Sequence, residues 1–136
     1  MNKDITSEDY WLDYYGEQEF DFGYEGSCYD VVVEIGKELK RNNIKGWMII
    51  DGYIMEPGET YPEYHVWIEF DDGNIIDVCC IEFFGVDSSD VTRVENYHSV
   101  FHEDGSEELF VRKEYNLEEY SRHLKWLSSG KPIELI

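Results

Sequence analysis

The sequence predicts an α+β domain in which an N-terminal helix carrying a cysteine packs on an antiparallel β-sheet, with a second helix at the C-terminus. Apolar residues recur at helical spacing after Ser27 and again after Asn116, and they alternate with period two from Tyr64 to Phe70. The order of helix, strands and helix is typical of α+β proteins. We expect one domain over the 136 residues, in three parts: an acidic, aromatic N-terminal segment at 1–25, the helix and sheet at 26–115, and the C-terminal helix and tail at 116–136.

The N-terminal segment combines acidic residues with many aromatic ones. Ser7 is suited to cap a short helix that ends near Gly16. So much aromatic surface predicts a segment that packs rather than a disordered tail. Two interpretations stay open: the segment only covers the core, or its aromatic residues form the rim of a pocket, with Tyr24 as the candidate substrate contact.

The helix that begins near Ser27 has the clearest signals in the chain. Ser27 is a good N-cap and Asp30 follows three residues later, as in a capping box. Cys28 shares an apolar stripe with Val32, Ile35 and Leu39 and is expected to face inward. The positive end of a helix stabilises a thiolate, so Cys28 is a candidate nucleophile. The alternative is a small buried cysteine without a chemical role.

A β-hairpin is predicted around the turn sequence Asp71-Asp72-Gly73, with a return strand over 74–79. A two-residue turn would place His65 and Asp77 on opposite faces. A three-residue loop with Gly73 in a left-handed conformation pairs residue 70 with residue 74, so that His65 and Asp77 lie diagonally on one face and Cys79 opposes His65. We predict the three-residue loop, because glycine adopts positive φ without strain.

The remaining elements are weaker predictions. A strand is expected over Trp47–Met55, an irregular segment over 82–90, a strand over 91–101 and a last strand over 109–115. Asp104-Gly105 is a second hairpin turn, and Asn116 with Glu119 forms a capping box for the terminal helix.

Charge limits the partners that this chain can bind. Eleven basic residues stand against 31 acidic ones, which gives a net charge of −20, and residues 46–92 contain no Lys or Arg. Direct binding of nucleic acid and of anionic membranes is disfavoured, because both depend on clustered cations. Cationic substrates or a basic protein partner are favoured, although the same charge also serves solubility.

The lengths of the apolar runs and the number of cysteines predict the compartment of this protein. We expect a cytoplasmic protein without a membrane span or leader, because no run of 18 apolar residues and no apolar segment near the N-terminus is present. Three cysteines in no framework spacing fit a reducing compartment. The residue patterns imply no cofactor.

Cys28, His65 and Asp77 could together supply the three groups that a thiol catalytic triad needs. Cys28 would be the nucleophile, His65 the general base and Asp77 the group that orients the imidazole. The N–H of Cys28 is a candidate oxyanion donor. Trp67 lies on the same hairpin and is, with Tyr24, a candidate substrate contact.

The motifs Gly26-Ser27-Cys28-Tyr29 and His65-x-Trp67-x-Glu69, followed by a glycine turn leading to Asp77, resemble the transglutaminase-like branch of the papain-like thiol fold. The resemblance covers roughly residues 26–79. It implies amide hydrolysis or acyl transfer through the Cys28 thiol, on a peptide or an amine-bearing substrate. Members of that branch commonly have Pro or Thr after the aspartate, whereas Val78 follows Asp77 here.

Two other functions compete with the thiol enzyme. A small acidic domain can occupy a basic groove on a partner protein as a mimic of nucleic acid, with no catalytic residues. A metal site formed by Cys28, His65 and Cys79 is the third hypothesis. It follows from the expected hairpin register, which places Cys79 opposite His65.

Overall fold

The computed structural model describes residues 4–17 and 27–128 and confirms the α+β class. The helices are α1 (Glu8–Glu17), α2 (Ser27–Arg41), α3 (Cys79–Phe84) and α4 (Leu117–Ser128), with a 3-10 turn at Ser88–Asp90. The strands are β1 (Trp47–Met55), β2 (Glu63–Phe70), β3 (Ile75–Ile76), β4 (Thr92–Arg93), β5 (Tyr97–Phe101), β6 (Glu107–Val111) and β7 (Lys113–Tyr115). Within the described ranges no helix is both long and apolar enough to cross a membrane.

Five strands form the main sheet, in the order β3-β2-β1-β4, and β7 pairs with β1 beside β4. Every pairing is antiparallel, and β1 and β2 form the longest ladder. Strands β5 and β6 form a separate two-stranded sheet. The two central strands therefore provide the platform on which the helices pack.

Both faces of the central strands are buried, by different elements. Val66 and Ile68 of β2 belong to the larger core cluster, together with Val31, Val32 and Ile35 of α2. Successive residues of a strand point to opposite faces. The other face carries a smaller cluster, formed by Ile50, Ile54, Trp67 and Cys80. The helix that bears Cys28 thus covers the Val66 face of the sheet, and α3 contributes to the opposite one.

The capping box predicted for the last helix is present. The side chain of Asn116 accepts a hydrogen bond from the Glu119 amide at 2.8 Å, and Glu119 accepts one from the Asn116 amide at 3.0 Å. Each side chain therefore satisfies an amide that the helix leaves without a backbone partner. This local signal correctly placed the start of α4 at Leu117.

Three sequence predictions about the irregular regions were wrong. The return strand of the hairpin is only Ile75–Ile76, because the chain turns into α3 directly after Asp77. Residue Val78 already has helical φ and ψ of −68° and −31°. The predicted single strand at 91–101 is split into β4 and β5, and the one at 109–115 into β6 and β7. Cys79 therefore begins a helix and does not oppose His65 on a strand.

The hairpin turn provides a stability test. Gly73 has φ of +91°, whereas Gly16 lies in α1 and a Cβ there would meet no atom within 4 Å. We expect Gly73→Ala to destabilise the protein by about 1–3 kcal/mol, because alanine is strained at positive φ. Gly16→Ala is expected to stabilise it by up to about 1 kcal/mol. Urea unfolding followed by circular dichroism measures both; equal effects of the two substitutions would contradict the strain argument.

Candidate functional site

The predicted three-residue loop between β2 and β3 is confirmed. The Phe70 amide donates to the Asn74 carbonyl at 2.8 Å, and the Gly73 amide donates to the Phe70 carbonyl at 2.9 Å. Ile68 pairs with Ile76, which is the register that this loop requires. His65 and Asp77 consequently share a face, and Nε2 of His65 lies 2.7 Å from Oδ1 of Asp77. Because Nε2 is engaged by Asp77, Nδ1 is the ring nitrogen that faces any further partner.

A buried arginine completes this pair. Nη1 of Arg93 donates to Oδ2 of Asp77 at 2.8 Å, so each oxygen of the carboxylate has its own partner. The other terminal nitrogen of Arg93 donates to the carbonyl of Ser88 at 3.0 Å and to its hydroxyl at 2.8 Å. The guanidinium carbon of Arg93 lies 4.7 Å from the centre of the Trp67 ring. Arg93 holds the carboxylate in place and compensates its charge.

Sequence reasoning missed Arg93, although a signal was available. It is the first basic residue after the cation-free stretch at 46–92, and it lies in a region that was predicted to be a strand. A single arginine that ends such an acidic stretch is a candidate partner for a buried carboxylate, because ionised Asp is seldom buried without one.

The His65–Asp77 pair lies in an almost dry environment. His65 is 4% exposed and Asp77 is 3% exposed. The imidazole centroid is 5.1 Å from that of Phe84 and 6.0 Å from that of Trp67. The Asp77 amide donates to Glu8 at 2.8 Å, and burial raises the pKa of that glutamate. The N-terminal helix therefore fixes the backbone that carries the candidate orienting group.

Cys28 is placed apart from this pair. It is half-buried in the second position of α2 and packs against the cluster that contains Val66. Its thiol is a neighbour of the Cys79 thiol. His65 belongs to the opposite face of β2, and among the contacts of the described residues none joins Cys28 to His65. The structure thus brings together two of the three predicted catalytic residues.

The other two cysteines are poor nucleophiles where they lie. The neighbouring Cys28 side chain, followed by burial, raises the pKa of the Cys79 thiol. Burial and the nearby Asp77 charge raise the pKa of Cys80 to about 12. Both thiols are buried and are protonated at neutral pH, so they are unsuited to attack a substrate.

The hydrogen bonds of Asp77 disfavour a metal site formed by His65, Asp77 and Cys80. Ligand atoms of His65, Asp77 and Cys80 lie within 4.8 Å of one another. However, both Asp77 oxygens already accept short hydrogen bonds, and one of these comes from the Arg93 guanidinium. A bound cation would lie beside that positive charge without adequate ligands. The alternative set weighed from the sequence, Cys28 with His65 and Cys79, is not brought together either, because Cys79 lies in the Cys28 cluster and not beside His65.

Of the two predicted substrate contacts, Trp67 and Tyr24, only Trp67 lies among the described residues. Trp67 is 0% exposed, so contact between its indole and a substrate would require Arg93 to move. This packing does not support the predicted role of Trp67 as a direct substrate contact. Its indole instead donates to Glu69 at 3.1 Å. Tyr24 lies outside the described residues.

A second group of polar side chains lies beside α4, and most of its members are only partly buried. Burial raises the pKa of Asp51, and the neighbouring Tyr64 hydroxyl and His123 act against this rise. His123 of α4 approaches the Asp51 carboxylate at 3.8 Å. The hydroxyl of Tyr120 is buried and, among described protein atoms, has no hydrogen-bond partner. This group lies on the α2 side of the sheet with Cys28, and no sequence motif predicted it.

The class of site that the geometry defines is a buried His–Asp pair with a neutralising arginine, on the face of β2 opposite to the helix that carries the half-buried Cys28. Comparison with protein-family models, with curated proteins and with solved structures found no match to any of them. The chemical interpretation therefore depends on the residues themselves.

Proposed function

We propose that this chain is a thiol enzyme that hydrolyses or transfers an acyl group from a peptide or amine-bearing substrate, with Cys28 as nucleophile. The observation that carries the proposal is the buried hydrogen bond of 2.7 Å between His65 and Asp77. A general base needs one tautomer and one orientation, and Asp77 supplies both through Nε2. Nδ1 is then the ring nitrogen left to act as the base, and Cys28, which lies on the other face of β2 in this structure, must move to reach it.

The electrostatics favour a cationic substrate. Residues 46–92 contain no Lys or Arg, and Arg93, which follows them, is bound to Asp77. A negative surface steers lysine- or amine-bearing molecules to the protein. The same negative field opposes formation of a thiolate, so the chemistry requires an ion pair between the Cys28 thiol and Nδ1 of His65. Because the two residues lie on opposite faces of β2 in this structure, the Cys28 thiol must move to approach the imidazole. That approach is the step the experiment tests.

Iodoacetamide at neutral pH, with mapping of the modified cysteines, tests the proposal. Cys28 is expected to react first, while the buried Cys79 and Cys80 with their raised pKa values stay unmodified. His65→Ala is expected to slow labelling of Cys28 by about tenfold or more, because the base that takes its proton is lost. His65→Gln retains a side-chain donor to Asp77 and serves as the second variant if His65→Ala fails to fold. Equal labelling of Cys28 in wild type and in a folded His65 variant would refute the proposal.

A second candidate is an acidic binding protein that occupies a basic groove on a partner. The specific observation in its favour is that two arginines form ion pairs with carboxylates of the protein itself. Arg93 binds Asp77, and Arg112 makes two hydrogen bonds of 3.0 Å to Glu69. Burial raises the pKa of Glu69, but these bonds outweigh it and hold the pKa below its usual value. Fewer of the eleven cations are then left to offset the surface acids.

Salt distinguishes the two candidates. Electrostatic association with a basic partner is expected to weaken steeply as ionic strength rises, because salt screens exposed charges. Labelling of Cys28 depends on contact between the thiol and the imidazole and is expected to change little. A strong loss of selective Cys28 labelling at high salt, with the fold intact, would count against the thiol enzyme.

A further inference from the structure

The β5–β6 hairpin exposes an apolar face that nothing in the described part of the chain covers. Tyr97 is 66% and Phe101 is 72% exposed, and Leu109 and Val111 are exposed on the neighbouring strand. Tyr97 pairs with Val111, and Ser99 with Leu109, so these side chains share one face. The opposite face is anchored by Phe110, which packs on Tyr53 and Tyr61.

The free edge of β5 exposes backbone groups at the same residues. His102 donates to the Ser106 carbonyl, and Arg112 to the Asn96 carbonyl, so the even-numbered residues of β5 bond to β6. In an antiparallel pair the intervening residues direct their N–H and C=O groups away from the partner. Tyr97, Ser99 and Phe101 therefore present donors and acceptors outward, and among the described strands β5 pairs with β6 alone.

The acidic residues around the free edge of β5 favour a basic partner over a second copy of this chain. Residues 95–111 contain five acidic residues and no Lys or Arg. Glu95, Glu103 and Asp104 are exposed next to the ends of β5. A second copy of this chain would bring another net charge of −20 to the edge and would be repelled. An extended basic segment would instead gain both ion pairing and main-chain hydrogen bonds.

We propose that β5 is a docking edge for an extended basic segment of another protein, which adds as a strand and places apolar side chains against Tyr97 and Phe101. An open edge strand with exposed aromatic residues is otherwise an aggregation hazard, which proteins usually cover or charge. The proposal does not depend on thiol chemistry. The edge of β5 would then be the place where the acidic surface contacts its basic partner.

The test uses a fluorescent peptide of alternating lysine and valine and the full chain, with binding followed by anisotropy. Ser99→Pro removes an outward N–H that β6 does not use and is expected to weaken binding about tenfold or more, whereas Ser99→Ala should bind like wild type. Tyr97→Ser combined with Phe101→Ser is expected to weaken it similarly. All these variants keep the net charge, and circular dichroism verifies their folding.

Three outcomes would overturn the proposal: no binding of the peptide, equal binding by wild type and Ser99→Pro, or a dimer of wild type that Ser99→Pro dissolves. The second outcome would show attraction by charge alone, and the third would show that the occupant is another copy of the chain. Cys28→Ala is expected to bind the peptide like wild type, so failure of the thiol chemistry and failure of the docking edge are distinguished.

Discussion

Asp77→Ala is expected to lower the free energy of unfolding by about 3–5 kcal/mol, which is the usual cost of removing one partner from a buried ion pair. The carboxylate accepts hydrogen bonds from both His65 and Arg93, and its side chain has no exposed surface. Its removal leaves the Arg93 guanidinium, whose side chain is 11% exposed, without its ion-pair partner. A marginally stable domain loses much of its stability through such a change.

Urea unfolding of the purified variants measures this effect. Asp77→Asn retains the shape of the side chain and loses its charge, so we expect an intermediate loss. Asp13→Ala is the matched control, because Asp13 is exposed on α1 and its removal should change stability by less than about 0.5 kcal/mol. If Asp77→Ala costs no more than Asp13→Ala, the buried pair does not stabilise the fold as argued here.

Trp67→Ala is expected to cost a similar amount, about 3–5 kcal/mol, through the cavity that it opens between the sheet and α3. The indole is fully buried, lies beneath Arg93 and donates to Glu69. Its ring also fills the space above Gly52, where an added Cβ would lie 3.1 Å from a ring carbon. This close approach explains why glycine interrupts β1 opposite His65.

Thermal and urea unfolding of Trp67→Ala and Trp67→Phe measure the loss, and the smaller cavity of the phenylalanine variant should give the smaller effect. Tyr97→Ala is the aromatic control, because Tyr97 is largely exposed and contributes little to the core. A loss for Trp67→Ala as small as that for Tyr97→Ala would show that the cluster around Trp67 adapts without a cavity.

Local patterns were sufficient for several features of the site. Period-two alternation and the glycine at position 73 predicted the loop, the register and the meeting of His65 with Asp77, because a turn type determines which residues share a face. The Asn116 capping box likewise depends only on neighbouring residues. The return strand was predicted too long because a run of apolar residues after Asp77 suits a short helix as well as a strand.

The sequence by itself determined that a cysteine begins α2 and that a histidine and an aspartate share one face of a hairpin. Only the tertiary structure decided which face α2 covers. Both faces of β2 bury apolar side chains, Val66 and Ile68 on one and Trp67 on the other, so alternation alone cannot choose between them. Long-range packing likewise brought Arg93 to Asp77 and Cys28 to Cys79, because such contacts depend on how the connections fold back over the sheet.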